Sequence, residues 1–240
     1  MKRAFTFVAS AAVIITASAD AGVLGYSSFA RTASNGNIVI DVFTVVSNAQ
    51  DRLLNVYNTN VTTTAGGATA ASFIQQTGVN TRGWKPDGSA TRSNIVDSFM
   101  TIGVDGGAPY GGEYYASLGT GADGNFTNWT ALAPTIPVNA GWFLSPPTLP
   151  DGVAESMAGM TGTRVNTGSV GISNMLGIWC AHMVMVSGST NCWWAATSAV
   201  KDFATGGTVT TTASSTNLVP APGALALLGL AGFSSRRRRA

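Results

Sequence analysis

His182 is the chain's single histidine, and it lies in the most apolar interior run, Gly177 to Val186. In a strand it shares a face with Ile178, Cys180, Val184 and Val186, because alternate residues point the same way. Such surroundings suit a packed core histidine. A zinc site needs several His or Cys ligands together, and a Ser-His-Asp hydrolase would have to use this ring without a G-x-S-x-G elbow. Glu113 and Glu155 are the only glutamates. A glycosidase sets two carboxylates across a cleft, but nothing in the spacing of these acids proposes a pair. Phosphate-cradling loops and dinucleotide fingerprints are missing. The expectation is a protein that is not an enzyme, with no catalytic residue to name.

Binding chemistry concentrates in Gly103 to Thr130. This segment holds Asp105-Gly106-Gly107, Tyr110-Gly111-Gly112-Glu113-Tyr114-Tyr115, and Asp123-Gly124-Asn125 before Trp129. One reading is a long surface loop whose aromatics cover the edge of the fold. The other is a ligand loop, in which Tyr110, Tyr114, Tyr115 and Trp129 present ring faces to sugars. Its carboxylate and amide oxygens suit a hard cation such as calcium, but they lack the alternating spacing of a calcium loop. No cofactor or metal is expected.

Around these residues the chain reads as all-β, a single sandwich or jelly-roll-like domain with few short helices. Ile38 to Val46 is a strand buried on both sides, with Asp41 its only charge. Ser47 to Asp51 supplies turn residues and Leu53 to Thr64 resumes as a strand, which predicts a β-hairpin. Asn94 to Gly103, Ala140 to Leu144 and Gly177 to Val186 read as strands, and Thr208 to Thr212 as a terminal edge strand. Val153 to Met160 reads as one or two helical turns, and Ala195 to Phe203 as a short helix or a further strand. Ala213 to Leu218, rich in Ser, Thr and Asn, reads as a flexible linker.

Both ends carry targeting signals. Lys2 and Arg3, the apolar Phe5 to Ile15, and Ala17-Ser18-Ala19 form a secretory signal over residues 1–19, with cleavage before Asp20. At the other end Val219-Pro220-Ala221-Pro222 precedes an apolar run, Ala224 to Phe233, and four arginines, Arg236 to Arg239. A helix over Gly223 to Ser235 would rise roughly 20 Å, short of the roughly 30 Å hydrocarbon core, so it suits a transient anchor. The arginines hold the end on the cytoplasmic side.

Residues 219–240 resemble the PEP-CTERM sorting tail of bacteria that make exopolysaccharide, with Ala221 where that family usually has Glu. The resemblance implies processing by an exosortase near the proline motif, contact with the membrane through the tail alone, and delivery to the cell surface or extracellular matrix. It covers only the tail and implies nothing about residues 20–212, the expected sandwich.

Export also decides how charge and cysteine are read. The six basic residues of the two signals account for nearly half of the thirteen; seven then remain against eleven acidic ones, a net of about −4. That removes the electrostatic basis for nucleic-acid binding. Cys180 and Cys192, in an oxidising compartment, are expected to form a disulfide. A symmetric hairpin between them would turn at apolar Val186, so the bridge is expected to join staggered or non-adjacent strands. Of Trp193 and Trp194, one is expected to pack on the bridge and one to meet solvent or a loop. The expected function is a structural or adhesive protein of the extracellular matrix. The alternative is a polysaccharide-binding module, with a secreted glycoside hydrolase third.

Overall fold

β-Branched side chains fill Ile38–Val46 at all but two positions, and an extended backbone packs such residues best. A computed structural model places a strand there. It describes residues 22–76, 83–86, 90–103, 113–116, 132–145 and 152–219, with 113–116, 144 and 145 as backbone only. In chain order the strands are β1 (Val23–Thr32), β2 (Ile38–Val46), β3 (Arg52–Thr62), β4 (Phe99–Met100), β5 (Glu113–Ala116), β6 (Ala140–Ser145), β7 (Glu155–Ser156), β8 (Thr163–Asn166), β9 (Leu176–Met185), β10 (Trp193–Lys201) and β11 (Thr208–Asn217). They form two antiparallel sheets packed as an all-β sandwich. The first runs β4-β9-β2-β1-β8, with β7 also on β9; the second runs β11-β10-β3-β6-β5. No helix occurs among the described residues.

The expected hairpin of β2 with β3 does not form. β2 already has β1 on one side and β9 on the other, so the chain crosses to the second sheet and β3 inserts between β10 and β6. Ser47 to Asp51 make that crossing, where the Asp51 carboxylate accepts from the amides of Asn48 and Phe203. Val153 to Met160 holds β7 instead of helical turns, and Ala195 to Phe203 falls mostly in β10. Of Asn94 to Gly103 only Phe99–Met100 is strand.

The expected linker is also corrected. β11 runs through Ser214, Ser215 and Thr216 to Asn217, with Ala213 buried and Thr212 and Ser214 exposed. Leu218 is 1% and Val219 6% exposed, both within the core. The hydroxyl-rich composition reflects the outward side of an edge strand.

Between the sheets, Tyr26, Trp142 and Trp194 meet edge to face, at 6.0 Å for Tyr26–Trp194 and 6.4 Å for Trp142–Trp194. Such pairs each add about 0.5–1.5 kcal/mol beyond area burial. Trp193 is only half-buried. Three hydroxyls lie inside this core: Ser198 Oγ is 2.7 Å from Tyr26 Oη and 2.9 Å from Thr44 Oγ1, which ties β10 to β1 and β2.

The expected disulfide is absent. Cys180 and Cys192 are both buried, free thiols. They approach the core from different sheets, Cys180 within β9 and Cys192 just before β10. The Cys180 thiol donates to the Val42 carbonyl at 3.3 Å. Burial pushes both thiols up to about 12, which favours the protonated form in an apolar interior.

Candidate functional site

The first sheet is covered on its outer face as well. A second apolar cluster there gathers Phe29, Phe43, Phe99, Met157 and Trp179. His182 belongs to this face. Val42 pairs with Ala181 and Phe43 with Trp179, leaving Cys180 as the extra residue of a β-bulge. The bulge turns both Cys180 and Ala181 inward, and alternation resumes one step out of phase. His182 therefore does not share a face with Ile178 and Cys180, as strict alternation predicts; it lies with Trp179.

There it joins a fully enclosed carboxylate. Asp41 on β2 stands opposite His182 on β9, and both are 0% exposed. Asp41 Oδ1 is 2.6 Å from His182 Nδ1, and Asp41 Oδ2 accepts from Arg31 Nη1 at 2.5 Å. His182 Nε2 donates to the Asn94 carbonyl at 2.9 Å. Both ring nitrogens are thus engaged by oxygen atoms. Phe99 stacks on the imidazole at 4.8 Å. Arg31 Nη2 donates to the Arg92 carbonyl, and the Arg92 guanidinium lies over Trp179 and pairs with Glu155 at 3.0 Å.

The chemistry of this cluster is structural. Each end of the imidazole is engaged, so no lone pair is presented to a metal or substrate. The bonds to the Arg92 and Asn94 carbonyls clamp the segment of residues 90–103 over β1, β2 and β9. Beside the clamp an open depression of about 660 Å³ is lined by Arg31, Asp41, Thr91, Arg92, Ser93 and Met160, among others. Among the described residues no group of His, Cys, Asp or Glu could hold a metal ion. Glu155, in β7 of the first sheet, and Glu113, in β5 of the second, lie in different sheets. Sequence reasoning did not assemble this cluster, although a signal existed: the two most apolar strands each carry one buried residue of an acidic or basic type, Asp41 and His182.

The second sheet's outer face is partly exposed, with Thr197 and Ala199 buried at its middle. Directly opposed residues of an antiparallel pair share a face, so the register lays it out in rows. Thr208, Lys201 and Arg52 stand abreast on β11, β10 and β3. The next row runs Thr210, Ala199, Asn55 and Phe143, reaching the backbone position of Tyr115 on β5. A third holds Thr212, Thr197 and Tyr57. Thr208, Thr210, Thr212 and Lys201 are exposed, and Arg52, Asn55, Tyr57 and Phe143 half-buried.

Of the aromatics singled out in the glycine-rich segment, Tyr114 and Tyr115 are in β5, opposite Leu144 and Phe143, instead of in a loop. Tyr110 and Trp129 lie outside the described residues, as do Pro220, Ala221 and Pro222 of the expected sorting motif and the expected N-terminal signal. Val219, the motif's first residue, is described, and its amide donates to Asn217 Oδ1 at 3.1 Å. No family model matches this chain, and no curated protein and no solved structure is similar to it.

Proposed function

We propose that this chain is an exported structural or adhesive module of a bacterial cell surface or extracellular matrix. The signal at residues 1–19 directs export, and the tail from Val219 holds the protein at the membrane until an exosortase-type enzyme acts near Pro220. The observation that carries the adhesive part is the contrast between the two sheets. The first carries apolar clusters on both faces, and its buried Asp41–His182 pair serves as a clamp. The second presents exposed threonine hydroxyls along β11 beside half-buried Tyr57 and Phe143, which suits lateral contact with a hydrated polymer.

Fractionation of the producing cells tests this reading. The protein is expected in the surface or matrix fraction, with an intact mass that lacks both Lys2-Arg3 and Arg236 to Arg239. Recovery from the cytoplasm, or as freely soluble protein that no matrix preparation retains, would overturn it. A released protein still carrying the four arginines would overturn the processing step alone.

A further inference from the structure

The edges of the two sheets are not alike. β8 closes one side of the first sheet with four residues that include Arg164, and β4 lies at its other side with two. Short strands and charges keep a sheet's unpaired backbone from joining another chain. β5, at one side of the second sheet, is four residues long and opens with Glu113. β11, at the other side, has neither protection. It runs for ten residues, Thr208–Asn217, with no charge and no proline.

The phase of its pairing decides which backbone groups face outward. In an antiparallel pair, opposed residues alternate between exchanging both backbone bonds and turning both away. Asp202 N donates to the Gly207 carbonyl at 2.9 Å, and at the far end Leu218 N donates to the Cys192 carbonyl at 2.7 Å. Both bonds put the bonding positions of β10 at every second residue between Cys192 and Asp202. Val209, Thr211 and Ala213, opposite Val200, Ser198 and Ala196, therefore bond to β10. Thr208, Thr210 and Thr212 aim their N–H and C=O groups away from the sheet. Among the described residues no strand lies on that side of β11, and no backbone bond reaches these three. Their side chains are exposed as well.

We infer that β11 pairs antiparallel with β11 of a second copy of this chain, about a two-fold axis through Thr210. The edge is self-complementary about that residue, since the next outward position in either direction is again a threonine. Thr210 then faces Thr210 of the second copy and Thr208 faces its Thr212, so each outward N–H and C=O finds a partner. Threonine pairs are favourable across strands, and no like charges are set opposite each other. Lys201, exposed in the row of Thr208, ends about 20 Å from its counterpart, three strand spacings across and four residues along. That is about twice the Debye length at 0.1 M salt. The contact joins two copies of the second sheet into one continuous sheet and leaves each core as it is. Its shortness places it among weak, concentration-dependent interfaces. It does not depend on the adhesive reading above.

Sedimentation velocity of the full chain tests the pairing, in density-matched neutral detergent kept in excess because of the apolar run Ala224 to Phe233. A range from about 1 to about 300 µM covers weak interfaces, and dimer should appear as concentration rises. Thr210→Lys sets like charges directly opposite each other on the axis and should raise the dimer Kd at least about fivefold. Its Tm should be unchanged, since the side chain is exposed and the backbone of Thr210 does not bond to β10. Thr210→Glu should weaken the dimer in the same way, and an equal mixture of the two variants should restore it. Thr190→Lys, on the exposed link between β9 and β10, should leave dimerisation as it was.

A chain that stays monomeric over the whole range would overturn the pairing. So would a dimer indifferent to Thr210→Lys, since the apolar run or another surface would then hold it. A mixture of the two variants that fails to restore the dimer would overturn the placement of the axis at Thr210. Retention of the native protein in the matrix fraction reads the adhesive proposal separately, and neither result there bears on these outcomes.

Discussion

Replacing Asp41 by Ala should destabilise the domain by about 3–4 kcal/mol. Asp41 accepts from Arg31 at 2.5 Å and faces His182 at 2.6 Å, and neither Asp41 nor His182 has any exposed side-chain surface. Removing one member of a buried ionic pair typically costs about 3–5 kcal/mol, because the partner is left uncompensated. The two partners differ in what they lose. His182 is sealed beneath Phe99 and beside Trp179, so its Nδ1 cannot reach water. Arg31 retains 21% exposure and can turn toward solvent, which limits its share to about 1 kcal/mol. The estimate therefore sits at the lower end of the range. In a domain of this size it corresponds to a fall in Tm of about 6–16 °C.

Urea unfolding of the full chain in detergent, followed by tryptophan fluorescence, measures the difference directly. Trp179 packs edge-on to His182 at 5.8 Å and reports on the same place. The double variant Asp41→Val with His182→Phe should recover most of the loss, because an apolar pair leaves no buried group without a partner. A loss below about 1 kcal/mol for Asp41→Ala would mean the cluster is solvated and is not a clamp. A double variant worse than the single one by an additive amount would show that Asp41 and His182 act independently.

Three further outcomes follow from the core and its closing strand. Cys180 and Cys192 should resist alkylation in the native protein and both react after unfolding without any reductant, as intact mass will register; and because their folded pKa values are raised, stability should be complete below about pH 9 and fall as pH rises toward 12. Ser198→Ala should cost about 1–3 kcal/mol in urea unfolding, since it strands the buried hydroxyls of Tyr26 and Thr44, while Ser214→Ala on the exposed side of β11 should be close to neutral. Truncation after Asn217 should lower Tm by several degrees relative to truncation after Val219, because Leu218 and Val219 are buried; equal melting of the two would refute their role in the core.

What was legible in the sequence was the strands whose own side chains impose extension. β2 and β6 announce themselves through β-branched and aromatic runs, and β9 through its unbroken apolarity. β1 does not. Its inward positions include the hydroxyls of Tyr26 and Ser28, and it contains Gly25 at φ 144°, where an added Cβ would come within 2.4 Å of the Thr167 carbonyl oxygen. The Tyr26 hydroxyl on that inner face makes sense only once Ser198, from the other sheet, supplies its partner. The face of His182 was hidden for a related reason: a one-residue bulge at Cys180 reverses inside and outside, and no local signal marks it. Lys201 and Arg52 are far apart in sequence and become neighbours only through the pairing of β10 with β3.

The end of the fold bears on how the tail can work. Leu218 N donates to the Cys192 carbonyl at 2.7 Å, Cys192 N donates to Asn217 Oδ1 at 3.0 Å, and the same Asn217 oxygen accepts from Val219 N. These bonds fasten the chain to the sandwich up to the first residue of Val219-Pro220-Ala221-Pro222. The missing N–H of Pro220 then prevents β11 from simply extending the ladder into the motif. Six residues of Ser, Thr and Asn composition would have let a processing enzyme reach the prolines at a distance from the domain. With those residues folded into β11, no such spacer separates Val219 from the sandwich. The strand that closes the second sheet is thus fastened through Asn217 to Val219, and β11 cannot loosen without opening the core.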